Sequence, residues 1–585
     1  MPSPDSPVQR YHDGTKHHFN QFARSLGYLD WASQPDPFRA YQGARRVALY
    51  PAPGAERATY TPPATTFDNL FGQNVGVEPL SLPLVGDLLR HALGLSAWKQ
   101  VQSSRWSLRV NPSSGNLHPT EAYIVCGAAV RLDPEGAAVV AHYAADAHAL
   151  EIRSRFGAAA WDAFSGGRER FLVVLTSIHW REAWKYGERA FRYCQHDVGH
   201  AVACVAFAAA ALGWRTRLLP EWSHRQIAAL TGVDRDDDFL EAEREEPACV
   251  LAVEHPGASG GVDGPAAALV ERVAMGKWEG RASQLSEDHV EWTFIDEIAR
   301  ATSFTGAGAP PPARTDADAP PRIYLSSASH GRGRSDLSAQ PALPGSPTLP
   351  APPAVPALPA RDVFLQRRSA VAFDGVSSMS ADRFFEMLAR VMPVRGSIWD
   401  VAWWTPRIHL ALFVHRIDGV APGLYALGRE PRGFERLLTS LSADLLREPA
   451  HDTLPLVRLA AGQARAMARR LSCDQDIASD GCYSLGMIAD FDASLDEYGP
   501  AFYRNLFWES GMVGQRLYLD AEAAGLRATG IGCFYDDAVH DVLGLKGHAF
   551  QSLYHFTVGA PVEDARITTE PGYAWETRRG HAEVS

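Results

Sequence analysis

Hydrophobic and polar positions alternate along most of this chain in patterns that predict both strands and helices. Continuous apolar runs, which are typical of buried strands, occur at Tyr123–Cys126, Phe171–Leu175, Cys249–Val253 and Ile408–Val414. Apolar residues at helical spacing predict helices over Leu82–Leu93 and Asp382–Val391. Because strands and helices are mixed in both halves, we predict an α+β fold that occurs twice, with sheets flanked by helices.

Two longer segments predict buried helices: Tyr186–Gly213 is apolar on almost every face in its second part, and Arg504–Gly525 shows the same pattern less strongly. A helix with this pattern is buried on all sides. Since the two segments occupy the same place in their halves, we expect them to lie where two domains meet. Gly213 and Gly525 stand where a glycine commonly ends a helix.

An internal repeat supports this organisation. Lys185-Tyr186-Gly187 and the helix behind it align without a gap with Glu497-Tyr498-Gly499 and its helix, 312 residues later. Beyond the helices, Gly232 still matches Gly544. Solenoid repeats have periods of about 20–50 residues, so a repeat this long indicates a duplicated domain.

The composition changes sharply between Thr302 and Pro359, where proline, alanine, glycine and serine dominate. Such a segment cannot bury enough apolar surface to fold, and it favours an extended chain. We therefore expect the following organisation: an N-terminal extension (1–80), a first domain (81–300), a Pro/Ala-rich linker (301–360), a second domain (361–565) and a C-terminal tail (566–585).

Overall composition is that of a globular protein, with 46% hydrophobic and 21% charged residues. The net charge of −12 argues against a nucleic-acid partner. Seven scattered cysteines and a histidine pair, His17-His18, lack the spacing of a disulfide framework or a metal site. The polar N-terminus contains no signal peptide, and the longest apolar run, Ala201–Leu212, is too short to cross a membrane. We expect a soluble, cytoplasmic protein.

Three motifs carry candidate binding chemistry, and each occurs in one half only: Pro112-Ser113-Ser114-Gly115-Asn116, Arg367-Arg368-Ser369 and Gly530-Ile531-Gly532. One guanidinium group can donate two parallel hydrogen bonds to phosphate oxygens. Small residues let the backbone approach a flat ring closely. Two of the motifs also have a simpler interpretation: Pro112–Asn116 as a polar turn before a strand, and Arg367-Arg368-Ser369 as the solvated start of a helix. Gly530-Ile531-Gly532 is not a dinucleotide-binding fingerprint, because no Gly-x-Gly-x-x-Gly follows a strand.

Together these motifs resemble those of the nitroreductase-like flavoproteins. The resemblance implies that Arg367, Arg368 and Ser369 bind the phosphate of FMN. It also implies that Pro112–Asn116 lies along the isoalloxazine ring, and that backbone N–H groups of Gly530–Gly532 point at its N5 and O4 atoms. The chain departs from many relatives at Val371, where they carry a second basic residue.

Lys185-Tyr186 resembles the Lys-Tyr motif of the thiazoline/oxazoline dehydrogenases, the SagB/ThcOx branch of this superfamily. The resemblance implies that the pair removes a proton while hydride leaves for FMN. A lysine that reaches a buried apolar pocket can have a lowered pKa and act as a base, and the tyrosine could relay the proton. The alternative is that Lys185 is a surface residue in a loop that leads into a helix.

Nitroreductase-like enzymes are dimers with FMN at the subunit interface. The arginine motif and the glycine-rich segment come from one subunit, whereas the Pro-Ser loop comes from the other. Applied to this chain, the resemblance implies an intrachain pseudo-dimer in which every surviving motif meets at one site. We therefore predict one FMN per chain, bound between the halves, and no metal.

The expected function is the two-electron dehydrogenation of a thiazoline, oxazoline or related peptide-derived natural product, with O2 as final acceptor. The substrate would be a small molecule or peptide, and a cyclodehydratase-type biosynthetic protein is a candidate partner. Two alternatives remain open: a nitro- or quinone-type reductase that uses NAD(P)H, and a non-catalytic scaffold in a biosynthetic complex.

Overall fold

The computed structural model describes residues 6–56, 60–72, 75–258, 264–306 and 357–577. In its first half the helices are α1 (Pro7–Gly14), α2 (Leu82–Ala92), α3 (Ala158–Ser165), α4 (His179–Tyr186), α5 (Ala190–Ala211), α6 (His224–Thr231), α7 (Ala266–Ala274) and α8 (Thr293–Ala301). The strands are β1 (Tyr41–Gln42), β2 (Arg46–Ala48), β3 (Leu95–Val101), β4 (Ser104–Arg109), β5 (Thr120–Cys126), β6 (Ala138–Ala144), β7 (Ala149–Phe156), β8 (Arg170–Ser177), β9 (Arg215–Leu218), β10 (Glu246–Glu254), β11 (Lys277–Trp278) and β12 (Arg281–Ala282).

The second half has helices α9 (Ala360–Gln366), α10 (Ala381–Arg390), α11 (Pro431–Ser440), α12 (Arg465–Leu471), α13 (Ile477–Asp480), α14 (Phe491–Tyr498), α15 (Phe502–Ala523), α16 (Asp536–Leu543) and α17 (Ala574–Thr577). Its strands are β13 (Met379–Ser380), β14 (Ile408–Val414), β15 (Ile417–Asp418), β16 (Gly423–Leu427), β17 (Glu448–Pro449), β18 (Leu456–Ala461), β19 (Tyr483–Asp490), β20 (Arg527–Ile531), β21 (Phe550–Gly559) and β22 (Thr568–Pro571).

Each half contains one large sheet. The first has the strand order β11-β7-β6-β5-β8-β10-β9, with β2 also paired to β7, and the second has the order β17-β18-β16-β14-β19-β21-β20. Five neighbouring strands correspond between the halves, β6-β5-β8-β10-β9 and β16-β14-β19-β21-β20, and all of them pair antiparallel. The predicted α+β fold that occurs twice is therefore confirmed.

The four apolar runs predicted as strands lie within β5, β8, β10 and β14, where almost every residue is buried. The helix predicted from Tyr186 was wrong at its start, because Tyr186 is the last residue of α4. Gly187 takes a positive φ of 56° and breaks the chain direction, so the buried helix α5 begins only at Ala190. Its counterpart α15 begins at Phe502.

Helices α5 and α15 pack against each other at the centre of the molecule, as predicted for the domain interface. They cross at two equivalent glycines. A Cβ atom at Gly199 would lie 2.3 Å from the carbonyl oxygen of Trp508, and one at Gly511 would lie 2.3 Å from that of His196. Since real Cβ contacts are not this short, only glycine allows the two backbones to come so close.

Segments near both ends of the described chain contact the opposite half. Near the N-terminus, the His12 side chain lies 3.2 Å from Tyr503 Oη and 3.0 Å from Gln551 Oε1. Near the C-terminus, β22 pairs antiparallel with β3 of the first half. Most of the predicted linker, residues 307–356, lies outside the described residues, and the predicted domain boundaries stay predictions. No described helix is long and apolar enough to span a membrane.

Candidate functional site

A cavity of about 290 Å³ is lined by residues of both halves. The first half contributes the loop Pro112–Asn116, and the second half contributes Arg367–Ser369 and Gly530. The structure thus brings together parts of all three motifs that the sequence analysis singled out. The same wall includes residues outside these motifs: Lys99, Trp106, Arg109, Asn111, Asp197, His200, Tyr518, Thr529 and Tyr554.

The loop Pro112–Asn116 connects β4 to β5 through a single 3-10 turn at Ser114–Asn116. Gly115 and Asn116 both have positive φ, at 62° and 57°. Both positions therefore require residues that tolerate the left-handed backbone conformation, as glycine and asparagine do. The His118 N–H donates to Ser113 Oγ over 2.8 Å, which closes the turn and fixes the loop at the cavity wall.

Two arginine side chains of the Arg367–Ser369 segment enter the cavity wall. Arg367 is 4% exposed; its Nε and Nη2 donate to the carbonyls of Val110 and Arg109, each over 3.2 Å. Its Nη1 is buried without a hydrogen-bond partner among the described residues. The Arg368 Nη2 donates to the carbonyl of Ser96 over 3.0 Å. Its Nη1 donates to the carbonyls of Leu365 and Arg367, so backbone carbonyls of the first half fix Arg367 and carbonyls of both halves fix Arg368.

Neither Arg367 nor Arg368 forms an ion pair with any residue in the described ranges. Burial lowers the pKa of Arg367, and burial together with the adjacent Arg367 charge lowers the pKa of Arg368 to about 10. Two neighbouring cations that have lost water and have no carboxylate within ion-pair distance are destabilised. The Glu522 carboxylate, which accepts the Arg368 backbone N–H, offsets this only in part. This part of the cavity consequently favours an anion.

The sequence analysis missed Lys99, which lies on β3 and lines the same cavity. Burial lowers its pKa, and the positive charges of Arg527 and Arg368 lower it further. Val371 also lines the cavity but carries no charge. Lys99 therefore supplies the additional basic group at this wall, and nothing in the local strand pattern Trp98-Lys99-Gln100 singles it out.

A pair of buried acids beneath the Pro-Ser loop was also missed. Ser113 Oγ donates to Glu182 Oε1 over 3.4 Å, and the Ser114 N–H donates to Asp197 Oδ1 over 3.3 Å. Burial raises the pKa of Asp197 to about 8, and burial and the Asp197 charge raise that of Glu182. Asp197 is the one acidic residue of helix α5, which is buried on every face, and this was the available sequence signal.

Lys185 and Tyr186 form the last turn of α4, not a loop, and they lie beside the cavity lining. A Cβ atom at Gly115 would be 2.8 Å from Tyr186 Oη and 3.2 Å from Lys185 Nζ, so both side chains contact the Pro-Ser loop. The Tyr186 ring packs edge-on against Tyr193 at 4.7 Å. The expectation of a buried lysine was wrong, because Lys185 is exposed.

The Gly530–Gly532 segment differs in part from the expectation. Gly530 and the buried Ile531 end strand β20, and the Gly530 N–H donates to Tyr518 Oη over 2.9 Å. This N–H is thus already bonded to a side chain. A Cβ at Gly530 would lie 1.9 Å from Tyr554 Oη, so glycine is required there. The carbonyl of Gly532 accepts the Tyr193 hydroxyl over 3.1 Å.

The equivalent region on the other side of the molecule is filled by side chains. Trp404 is 2% exposed, and its Nε1 donates to Glu509 Oε2 over 2.9 Å. Arg407 forms an ion pair with Glu497 and donates to Tyr498 Oη over 3.1 Å. Glu497 and Tyr498 correspond to Lys185 and Tyr186, so this acid–tyrosine pair is occupied by a structural contact.

Comparison with known proteins shows which family the chain belongs to. The model of the nitroreductase family matches residues 77–253 and 424–560, which together make up more than half of the chain. No curated protein sequence matches the chain significantly. The crystal structure of a proposed nitroreductase from Anabaena variabilis has a TM-score of 0.65 and is 20% identical, covering 95% of this chain and 100% of that one. This similarity shows that the fold extends over both halves.

Two further structures match a smaller part of the chain. A proposed nitroreductase from Ralstonia eutropha is 18% identical with a TM-score of 0.27, covering 39% of this chain and 97% of that one. A chain of the Escherichia coli microcin synthetase McbBCD complex, solved with truncated pro-microcin B17 bound, is also 18% identical. Its TM-score is 0.25, and the match covers 40% of this chain and 85% of that one.

Proposed function

This chain belongs to the nitroreductase family of FMN-using oxidoreductases, and we propose that it is a dehydrogenase of the SagB/ThcOx type. The proposed substrate is a thiazoline, an oxazoline or a related ring in a peptide-derived natural product. One C–H bond of the ring would lose a hydride and a neighbouring position a proton, leaving a new double bond. Bound FMN would accept the hydride.

The hydrogen-bond donors that line the cavity fit FMN. The observation that supports this most strongly is the pair of buried cations Arg367 and Arg368. Arg367 and Arg368 are desolvated without an ion-pair partner in the described part of the chain, and Arg367 Nη1 is an unused buried donor. A phosphate dianion would satisfy this donor and neutralise both guanidinium groups. Ser369 Oγ and the Lys99 ammonium group are the additional donors that we assign to the phosphate.

We assign Pro112–Asn116 to the wall along the flavin ring. The small Gly115 and the bent backbone at Asn116 support this role, since they keep side chains away from a flat ligand. We also assign Ile531, the last residue of β20, and Gly532, which follows it, to this wall, because they directly follow the cavity-lining Gly530. The Gly530 N–H, which Tyr518 occupies, would hold that tyrosine in place rather than contact the ring.

Lys185 is the proposed base, and Tyr186 is the proposed proton relay. Contact of both side chains with Gly115 supports these roles, because it places them at the edge of the cavity. Exposure of Lys185 means that a substrate entering from solvent can reach its Nζ. Tyr193, which touches Tyr186 and bonds the Gly532 carbonyl, would fix the orientation of the tyrosine ring.

The test is an anaerobic half-reaction with the flavin-loaded protein and a synthetic peptide that contains one thiazoline. We expect loss of the oxidised flavin absorbance and a product that lacks two hydrogens by mass spectrometry. Lys185→Ala should slow the reaction about 10²–10⁴-fold, the usual contribution of a general base. Lys277→Ala, which changes an exposed lysine on β11, is the matched control.

The alternatives give different results. Flavin that is reduced by NADPH but by no azoline peptide would replace the proposal with a nitro- or quinone-type reductase. If the protein binds no flavin after reconstitution, the result would support the interpretation as a non-catalytic scaffold in a biosynthetic complex.

A further inference from the structure

Two half-buried cysteines meet at the edge of the candidate site, although they lie far apart in sequence. The Sγ atoms of Cys473 and Cys533, 60 residues apart, are 2.7 Å from each other. Both are free thiols, and both are partly accessible, whereas Cys126, Cys194, Cys204, Cys249 and Cys482 are buried. The scattered spacing that argued against a disulfide framework thus concealed one adjacent pair.

Backbone and side-chain contacts hold the two segments together independently of the thiols. Cys473 lies in the turn between α12 and α13 and has a positive φ of 54°, while Cys533 directly follows Gly532. The Tyr535 N–H donates to the carbonyl of Leu471 over 2.9 Å. Gln475 Nε2 donates to the carbonyl of Cys533 over 3.1 Å. These contacts hold the two sulfur atoms next to each other whether or not they are joined.

The surroundings make the two thiols chemically different. Contact with the Cys473 sulfur and the nearby Arg189 guanidinium lower the pKa of Cys533. The same contact raises the pKa of Cys473. Because the thiolate is the reactive form of cysteine, Cys533 is the attacking group and Cys473 is the resolving group.

We propose that Cys473 and Cys533 form a reversible disulfide that acts as a redox-sensitive staple beside the flavin site. The oxidant is a small disulfide such as oxidised glutathione. The Cys533 thiolate attacks one of its sulfur atoms and releases one thiolate; Cys473 then gives up its proton, attacks the Cys533 sulfur and releases the second. Two cysteine protons end on the two released thiolates, and one disulfide is exchanged for another.

The staple would restrain the segment that carries the Gly532 carbonyl. That carbonyl accepts hydrogen bonds from Tyr193 Oη and from Arg189 Nη2, the latter over 3.2 Å. Tyr193 in turn packs on Tyr186. Closing the 60-residue loop also limits the unfolded chain, which should stabilise the folded protein. The thiol chemistry does not depend on the proposed dehydrogenase function.

The experiment uses the full-length chain equilibrated with glutathione buffers of increasing oxidation, followed by acid quenching, intact mass and peptide mapping. We expect loss of two hydrogens per chain, one cross-linked peptide joining Cys473 and Cys533, and full reversal by dithiothreitol. The oxidised form should have a higher melting temperature than the reduced form. Cys473→Ser and Cys533→Ser should each abolish this difference, and Cys482→Ser should retain it.

Several results would overturn the proposal. The first is a wild-type chain that keeps both thiols in the most oxidised buffer, and the second is a stable glutathione adduct at Cys533 that Cys473 does not resolve. The third is a cross-link that forms equally with other cysteines. Peptide mapping needs only the wild-type protein, so the result stands even if a serine variant fails to fold.

Discussion

At the scale of single residues, the charge of the cavity wall decides what it can bind. Arg367, Arg368 and Lys99 all have pKa values lowered by burial, and the two arginines have no ion-pair partner in the described ranges. Each of these groups would be stabilised by a phosphate dianion. Riboflavin, which has the same ring but no phosphate, would leave all three unchanged.

Arg368→Ala should therefore weaken FMN binding by about 10- to 100-fold, which corresponds to about 1.5–3 kcal/mol for a hydrogen bond to a charged group. Lys99→Ala should have a smaller effect in the same direction. Riboflavin binding should hardly change in either variant. Quenching of flavin fluorescence measures both affinities, and Lys277→Ala controls for total charge. Equal losses for FMN and riboflavin would show that these residues do not bind the phosphate.

The buried acids give a pH prediction for the flavin-free protein. The pKa of Asp197 is raised to about 8 by burial, whereas an unfolded aspartate titrates near 3.8. Between these values the folded state binds more protons than the unfolded state, so stability falls as pH rises. For this one proton the decline is about 1.4 kcal/mol per pH unit at most, and the Asp197 part of it should end above about pH 8. Glu182, whose pKa is also raised, adds to the decline in the same direction.

Asp197→Asn should flatten this decline, because asparagine does not titrate. Thermal melting between pH 5 and pH 9 measures the effect. Asp146→Asn, which changes an exposed turn residue, should leave the wild-type profile intact. A profile that Asp197→Asn does not alter would assign the pH dependence to other groups.

At the scale of elements, the contact between α5 and α15 joins the halves. The two helices touch at Gly199 and Gly511, where a side chain would meet the backbone of the other helix. The crossing therefore depends on a pair of glycines that occurs in both halves. The positive φ of Gly213 and Gly525 after each helix likewise occurs in both halves. The two buried helices thus share both their glycine contact and the way in which they end.

Gly199→Val should lower the free energy of unfolding by about 1–3 kcal/mol, the usual cost of overpacking, because the new Cβ would meet the Trp508 carbonyl. Thermal melting and flavin affinity should decline together, since the cavity lies between the halves. Gly76→Val is the matched control, because a Cβ at Gly76 meets no atom within 4 Å. An unchanged melting temperature for Gly199→Val would show that the close glycine contact between α5 and α15 does not contribute to the stability of the fold.

Elements were predictable from the sequence because apolar periodicity reports burial directly, as in β5, β14 and the helix α2. Contacts between distant segments were not. Lys99 reaches the cavity because β3 lies opposite the Arg367 segment, and no local pattern encodes that position. The adjacency of Cys473 and Cys533 likewise depends on how α12 and β20 fold together, not on their spacing.

At the scale of the whole molecule, the two halves are similar in fold and different in chemistry. One side of the interface carries a cavity with arginines, a polar loop and Lys185-Tyr186. The corresponding side is packed by Trp403 and Trp404, and its Glu497 is bound to Arg407. Under the proposed function, one complete site per chain is enough, so the other side can be filled by structural contacts.

The most direct measurement is the FMN content of purified full-length protein, determined from the released cofactor and the chain concentration after reconstitution with excess FMN. We predict one FMN per chain, and weaker binding when either Arg368 or Ser114 is replaced, seen as FMN that is lost when the excess is removed. Two FMN per chain, or none, would contradict a single site shared between the halves.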